Sequence, residues 1–250
     1  MKIKPDESFE HLKKAPIVEA VLDIRARAQQ LLDETSAKAM LESVLTGYRF
    51  LDFQQDFEFT VQIKDGPTLS DMKWGGVRFI SNDEKQIAKV TNNGILFSCL
   101  APYTNWNDFS AAGLTLWKAF QKIASPTNIH RVGIRYINKI ELPANDQRLD
   151  AYLSSCPSAP KDFDAPLLGF MHQDVLKIPD HPYAINIVKT IQAPEGPGRG
   201  VSIVLDIDVF TDDCVGLDES SLSARLVEMR WLKNKVFFGS ITSAAKDLCV

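Results

Sequence analysis

The stretch HRVGIRYINKIEL, residues 130–142, alternates with a period of two. Arg131, Gly133, Arg135, Ile137 and Lys139 fall on one face, because successive side chains of a strand point to opposite sides. A long β-strand is the reading. Its weight comes from its surroundings, since a similar strand opens the chain. In VEAVLDIRAR, residues 18–27, Val18, Ala20, Leu22, Ile24 and Ala26 take one face, and Glu19, Asp23, Arg25 and Arg27 take the other together with Val21.

A comparable series of elements follows each of these strands. After the first, LLDETSAKAMLESVL (31–45) reads as a short helix capped by Asp33 or Thr35. FEFTVQIK (57–64) reads as a strand with Phe57, Phe59, Val61 and Ile63 inward, and GVRFIS, QIAKVT and GILFSCL as a meander. NNG at 92–94 marks a hairpin turn, because Asn and Gly tolerate positive φ. NWNDFSAAGLTLWKAFQKIA (105–124) places Phe109, Gly113, Leu116, Phe120 and Ile123 along one helical stripe, with Asn107 as the cap and Pro126 just past the stop.

After the second strand come a short helix in DQRLDAYLSS and three strands, FMHQDVLKI, YAINIVKTIQ and GVSIVLDIDVF, with the loop APEGPGRG between the last two. A helix over about 218–235 closes the series. Leu222, Leu226 and Met229 form its buried stripe, Arg230, Lys233 and Lys235 sit at its end, and Asn234 suits a left-handed C-terminus. VFFGSIT is then a short apolar return, with Ser240 or Thr242 capping a last helix. The expected fold class is α+β: two similar antiparallel-sheet units, 1–125 and 126–250, each with covering helices, related by internal duplication. Letter identity between the halves is slight, so duplication rests on element order.

Composition sets the outer limits. A chain of 250 residues with a 45% apolar and 24% charged share can bury a core. The net charge of -4 argues against broad nucleic-acid binding. The start, MKIKPDESFEHLKKAP, has no apolar signal core, and no run approaches a membrane span, so a cytoplasmic protein is expected. Cys99, Cys156, Cys214 and Cys249 are far apart and read as reduced thiols.

Charge on the strands is the most suggestive chemistry. Asp206 and Asp208 share a face of VLDIDVF, opposite Leu205, Ile207 and Val209. With Glu19, Asp23, Arg25, Arg131 and Arg135 they form the candidate binding set; Arg230, Lys233 and Asn234 form a second, weaker one. The simplest reading is a solvated sheet face with cross-strand ion pairs. The sharper one is a polar groove for a protein partner or a small anion. Two aspartates on a strand are also the only metal candidates, through oxygen ligands, although an Arg135–Asp206 or Arg135–Asp208 pair explains the same residues without a metal. His172 near Asp174 and His181 after Asp180 read as surface histidines, without a nucleophile signature beside them. GPGRG at 196–200 lacks the phosphate-loop spacing, and no cofactor fingerprint is present.

KAPIVEAVLDIR, GVRFISNDEKQIAKVTNNGILFSCLAPYTNW, IHRVGIRYINKIELP, LDIDVF and RWLKNKVFFGSIT, in that order, resemble a sporadically distributed family of prokaryotic proteins of unknown function. The resemblance spans residues 14–245. It implies a cytoplasmic protein of similar length and no catalytic residues to carry over, and patchy distribution fits accessory roles such as defence or toxin neutralisation. Expectation therefore favours a non-enzymatic binding protein, without cofactor or membrane, and admits a homodimer. The alternative is a divalent-metal-dependent hydrolase or phosphoryl-transfer enzyme built on Asp206 and Asp208.

Overall fold

The computed structural model describes residues 1–59, 70–144, 146, 148–157, 160, 162, 169–213 and 215–250, and only the backbone of 56–59 and 70–73. The protein is α+β, with nine antiparallel strands and five helices among the described residues. The chain forms two compact units. The first comprises Met1–Val21, Leu100–Tyr103 and Val132–Val250; the second comprises Leu22–Cys99 and Thr104–Arg131.

Strands with residues in the second unit follow the order β2-β3-β4-β5-β1: β1 (Ile17–Arg25, of which Leu22–Arg25 lie in this unit), β2 (Tyr48–Phe59), β3 (Ser70–Ser81), β4 (Gln86–Thr91) and β5 (Gly94–Leu100, all but Leu100 in this unit). Strands β4 and β5 are as read and β3 begins at Ser70 rather than Gly76, whereas β2 begins at Tyr48 rather than Phe57. Of the FEFTVQIK strand, Phe57 and Phe59 lie in β2, whereas Val61 and Ile63 lie outside the described residues. Helix α1 (Glu34–Val44) is capped by Asp33, whose carboxylate accepts from the Ser36 amide at 2.7 Å. Helix α2 (Trp106–Ala124) is capped by Asn105 rather than Asn107, because the Asn105 side chain reaches the Asp108 amide at 2.9 Å. It ends as expected before Pro126, with Ser125 left-handed at φ 45°. Phe109, Gly113, Leu116 and Phe120 are buried, and a Cβ on Gly113 would meet the Leu22 side chain at 2.5 Å.

The 92–94 turn differs in detail. Only Gly94 has positive φ. Asn92 acts through its side chain instead: its amide accepts from Leu32 N at 2.7 Å and donates to Leu32 O at 3.2 Å. Asparagine is therefore chosen here for hydrogen bonds and not for backbone freedom.

In the first unit the order is β1-β6-β9-β8-β7, with β6 (Arg131–Glu141), β7 (Met171–Lys177), β8 (Ala184–Gln192) and β9 (Ser202–Thr211). The register pairs Tyr136 with Ile207 and Arg135 with Asp208. One side of these strands is apolar and buried: Val132, Ile134 and Tyr136 on β6, Ile203, Leu205, Ile207 and Val209 on β9, Ile185 and Ile187 on β8. The other side carries the charges.

That apolar side is covered by α4 (Glu219–Ser240), and here the structure corrects the sequence reading. The helix does not end near Lys235. It continues through Val236, Phe237 and Phe238, so Asn234 is an interior helical residue and the last turn has no basic side chain. The cause is the stripe itself. Leu222, Leu226, Met229, Phe237 and Ser240 are buried, and Lys233 occupies the intervening position at spacing of three or four. Short helices α3 (Leu149–Tyr152) and α5 (Ser243–Asp247) adjoin one another, and α5 is capped by Thr242. No helix among the described residues is long and apolar enough to cross a membrane.

Candidate functional site

The charged residues of the first unit converge on the exposed side of β6 and β9. Arg135 donates from Nε to Asp206 Oδ1 at 2.8 Å and from Nη2 to Asp206 Oδ2 at 2.5 Å. The pairing is diagonal, since Arg135 stands opposite Asp208 in the register and Asp206 stands opposite Ile137. The two parallel bonds make a bidentate fork. The hydrogen bond to Asp206 pushes the guanidinium above its ordinary range, with burial opposing and Asp208 and Glu19 adding to the rise. Half of the Arg135 side chain remains exposed, against 15% of Asp206. Nearby on β6, Lys139 Nζ donates to Glu195 Oε1 at 2.5 Å and holds the Glu195 carboxyl below the usual range.

Asp23, Arg25 and Arg131 form a separate cluster in the second unit. Asp23 Oδ2 accepts from Arg131 Nη1 at 2.5 Å and from Arg25 Nε at 3.0 Å. Arg131 and Asp23 are only 14% and 17% exposed. The expected cross-strand ion pairs are thus formed, including Arg135–Asp206.

Of the weaker set, Arg230 is exposed and Asn234 half-buried on α4. Lys233 is different. Its Nζ stands 4.0 Å from the centroid of the buried Tyr136 ring, and the Tyr136 hydroxyl lies 3.2 Å from that of Tyr103. Burial, reinforced by the Arg230 cation, pulls the Lys233 ammonium down to about 7. Some of its surface remains open, yet no carboxylate among the described residues pairs with it.

Two clusters escaped sequence reasoning. Glu7 accepts from Trp231 Nε1 at 2.8 Å and from Lys235 Nζ at 2.6 Å, so the N-terminal segment is strapped to α4. The Tyr183 hydroxyl donates to Glu228 and accepts from Arg225 Nη1 at 3.4 Å, and burial pushes its phenol well above the ordinary range. Arg225 and Glu228 are one helical turn apart, which is visible in the sequence; their shared tyrosine is not.

The histidines lie where surface residues belong. His11, His130 and His172 are exposed, and His172 Nε2 is 3.0 Å from Asp174 Oδ2. Cys99, Cys156 and Cys249 are free thiols, and Cys214 lies outside the described residues. Among the described residues no group of three or more His, Cys, Asp or Glu side chains is placed to hold a metal ion. No protein-family model matches the chain, and neither a curated protein nor a solved structure matches it.

Proposed function

We propose that this chain is a non-enzymatic binding protein of a prokaryote, and that the exposed side of its first unit's sheet recognises a protein partner or a small anion. The observation that carries the reading is Arg135. Its Nε and Nη2 are held by Asp206, which fixes the guanidinium plane, while half of the side chain stays exposed and Nη1 has no partner among the described residues. A fixed, outward-facing guanidinium is suited to carboxylate or phosphate recognition. The candidate residues Glu19 and Asp208, with Lys139 on the same strand as Arg135, supply the mixed charge that selects between partners. An accessory role in defence or toxin neutralisation rests on the family resemblance alone, and a cytoplasmic location on that resemblance together with the apolar patterning of the sequence.

The metal-assisted alternative is weaker, because both Asp206 oxygens already accept hydrogen bonds from Arg135. Internal duplication, with halves 1–125 and 126–250, is supported by strand order. In one half the first strand neighbours the last, which neighbours the preceding ones, β1-β5-β4-β3; in the other the order is β6-β9-β8-β7.

The test uses the tagged 250-residue chain, captured from its own host after mild cross-linking and also weighed intact by native mass spectrometry. Arg135→Glu is compared with Lys122→Glu, an exposed substitution on α2. A bound species kept by the parent and Lys122→Glu but lost with Arg135→Glu supports the reading. An identical set of bound species on all three proteins defeats it.

A further inference from the structure

We propose that β7 is the surface by which two copies of this chain join, edge to edge and antiparallel, about a two-fold axis at Gln173. This specifies the homodimer that the sequence admits and does not depend on Arg135. β7 ends the strand order and, among the described residues, pairs only with β8. An edge strand leaves one row of amides and carbonyls available to another chain. Natural edges are blunted by proline, charge or brevity; β7 has seven residues and no proline, its lysine is at its end, and its one interior carboxylate, Asp174, has His172 beside it on the same face.

Its side chains are exposed on both sides of the sheet, with only Asp174 partly covered. Met171, Val175 and Leu176 are 78%, 66% and 45% exposed, so three of the eight exposed large apolar side chains among the described residues lie on this one strand. That concentration marks an interaction surface rather than scattered apolar exposure.

The sequence of β7 selects the partner. A two-fold axis perpendicular to the sheet keeps each face continuous and sets same-face residues opposite one another. Centred on Gln173, it places His172 opposite Asp174 of the partner subunit and Met171 opposite Val175 of the partner subunit. Phe170 then meets Leu176 of the partner subunit. An imidazole therefore meets a carboxylate within hydrogen-bonding reach on one face, and apolar meets apolar on both. Centring on Asp174 would set that carboxylate against its own copy, and centring on Val175 would set Asp174 against a leucine. Within one copy His172 and Asp174 are already 3.0 Å apart on the same face; pairing alternates two such couples across the axis. Cross-strand complementarity of this kind fixes register.

Gln173→Cys tests the register directly. Under mild oxidation it forms a covalent dimer, because that position faces its own copy at cross-strand distance. Val175→Cys, two residues from the axis, does not, and the parent with its native cysteines sets the baseline. By light scattering across a concentration series, the parent self-associates and Met171→Lys/Val175→Lys weakens association by more than about tenfold, with circular dichroism and melting unchanged. The exchange His172→Asp/Asp174→His retains association. A parent that stays monomeric throughout, a folded lysine variant that associates like the parent, or Val175→Cys cross-linking as readily as Gln173→Cys overturns the proposal. Should the lysine variant lose structure, the cysteine pair decides alone. None of these outcomes bears on capture through Arg135, so the two readings fail separately.

Discussion

Lys233 on α4 stands over the face of Tyr136 on β6, with Nζ 4.0 Å from the ring centroid. The contact exists because Lys233 occupies a position in the helix stripe that Met229 and Phe237 otherwise fill with apolar side chains. The ring face attracts the cation, but burial opposes its charge and lowers the ammonium to about 7.

A definite pH dependence follows. Between about 7 and the ordinary lysine value of 10.5 the unfolded chain binds the proton more tightly than the folded one. Stability therefore rises with pH through that window, and the penalty is fully present below about 7. Lys233→Met, which keeps the length and removes the charge, stabilises the protein near pH 6 by on the order of 1 kcal/mol, less than the full shift because part of the side chain is open to solvent. Urea unfolding of both proteins near pH 6 and above pH 10.5 measures it. An equal difference at both pH values would mean that packing, not the ammonium, is responsible.

The two arginine–aspartate pairs should differ in strength. Arg135 is half exposed, so a double-mutant cycle of Arg135→Ala with Asp206→Asn gives a coupling of about 0.5 kcal/mol that falls with added salt. Arg131 and Asp23 are 14% and 17% exposed, and their coupling is about 1–2 kcal/mol with weaker salt dependence. Stronger coupling at Arg135 would contradict the burial argument.

Glycine geometry offers a contrast within the second unit. At Gly94, φ is +129° and an added Cβ would lie 2.1 Å from the Ile24 carbonyl oxygen and 2.9 Å from Arg25 Cα. Both obstacles are backbone and cannot rotate away. Gly94→Ala costs at least about 2–3 kcal/mol. Gly47 also has positive φ, +81°, yet nothing lies within 4 Å, so Gly47→Ala costs only about 1 kcal/mol. Chemical denaturation midpoints of the two variants give the order.

The start of α4 should be acid-sensitive. Hydrogen bonds from the Ser220 hydroxyl and then the Ser221 amide lower the Asp218 carboxyl to about 2 from 3.8. This capping contribution is present above the unfolded value and is lost as pH falls from 3.8 through about 2. Asp218→Ala lowers the melting temperature at neutral pH, and the difference from the parent closes as the solution is acidified through that range. A constant difference would remove the carboxylate from the explanation.

Strand faces were legible in the sequence because the side-chain period of two is a local property. Val132, Ile134 and Tyr136 are buried while Arg135 is exposed, and Leu205, Ile207 and Val209 are buried beside the more open Asp206 and Asp208, as alternation requires. Helix ends were less legible. Asn107 is a good cap on paper, yet the Asp108 amide bonds to the side chain of Asn105, which is the actual cap. The basic residues of RWLKNKVFFGSIT mimic a helix terminus, yet burial of Phe237 and Ser240 carries α4 five residues past Lys235. Once that length is known, Lys233 can be read as a core-stripe residue; before it is known, Lys233 looks like a charge at a helix end.

What the sequence determined by itself was the α+β class, the faces of β1, β6 and β9, and the place of the 92–94 turn, all consequences of chain geometry over a few neighbouring positions. Tertiary structure alone decided which charge meets which. Asp206 receives Arg135 although Asp208 stands opposite it, Lys233 is pressed onto Tyr136, and β7 ends the sheet with its apolar side chains exposed. Those outcomes depend on residues tens of positions apart being brought within a few ångströms, and no local periodicity encodes that distance.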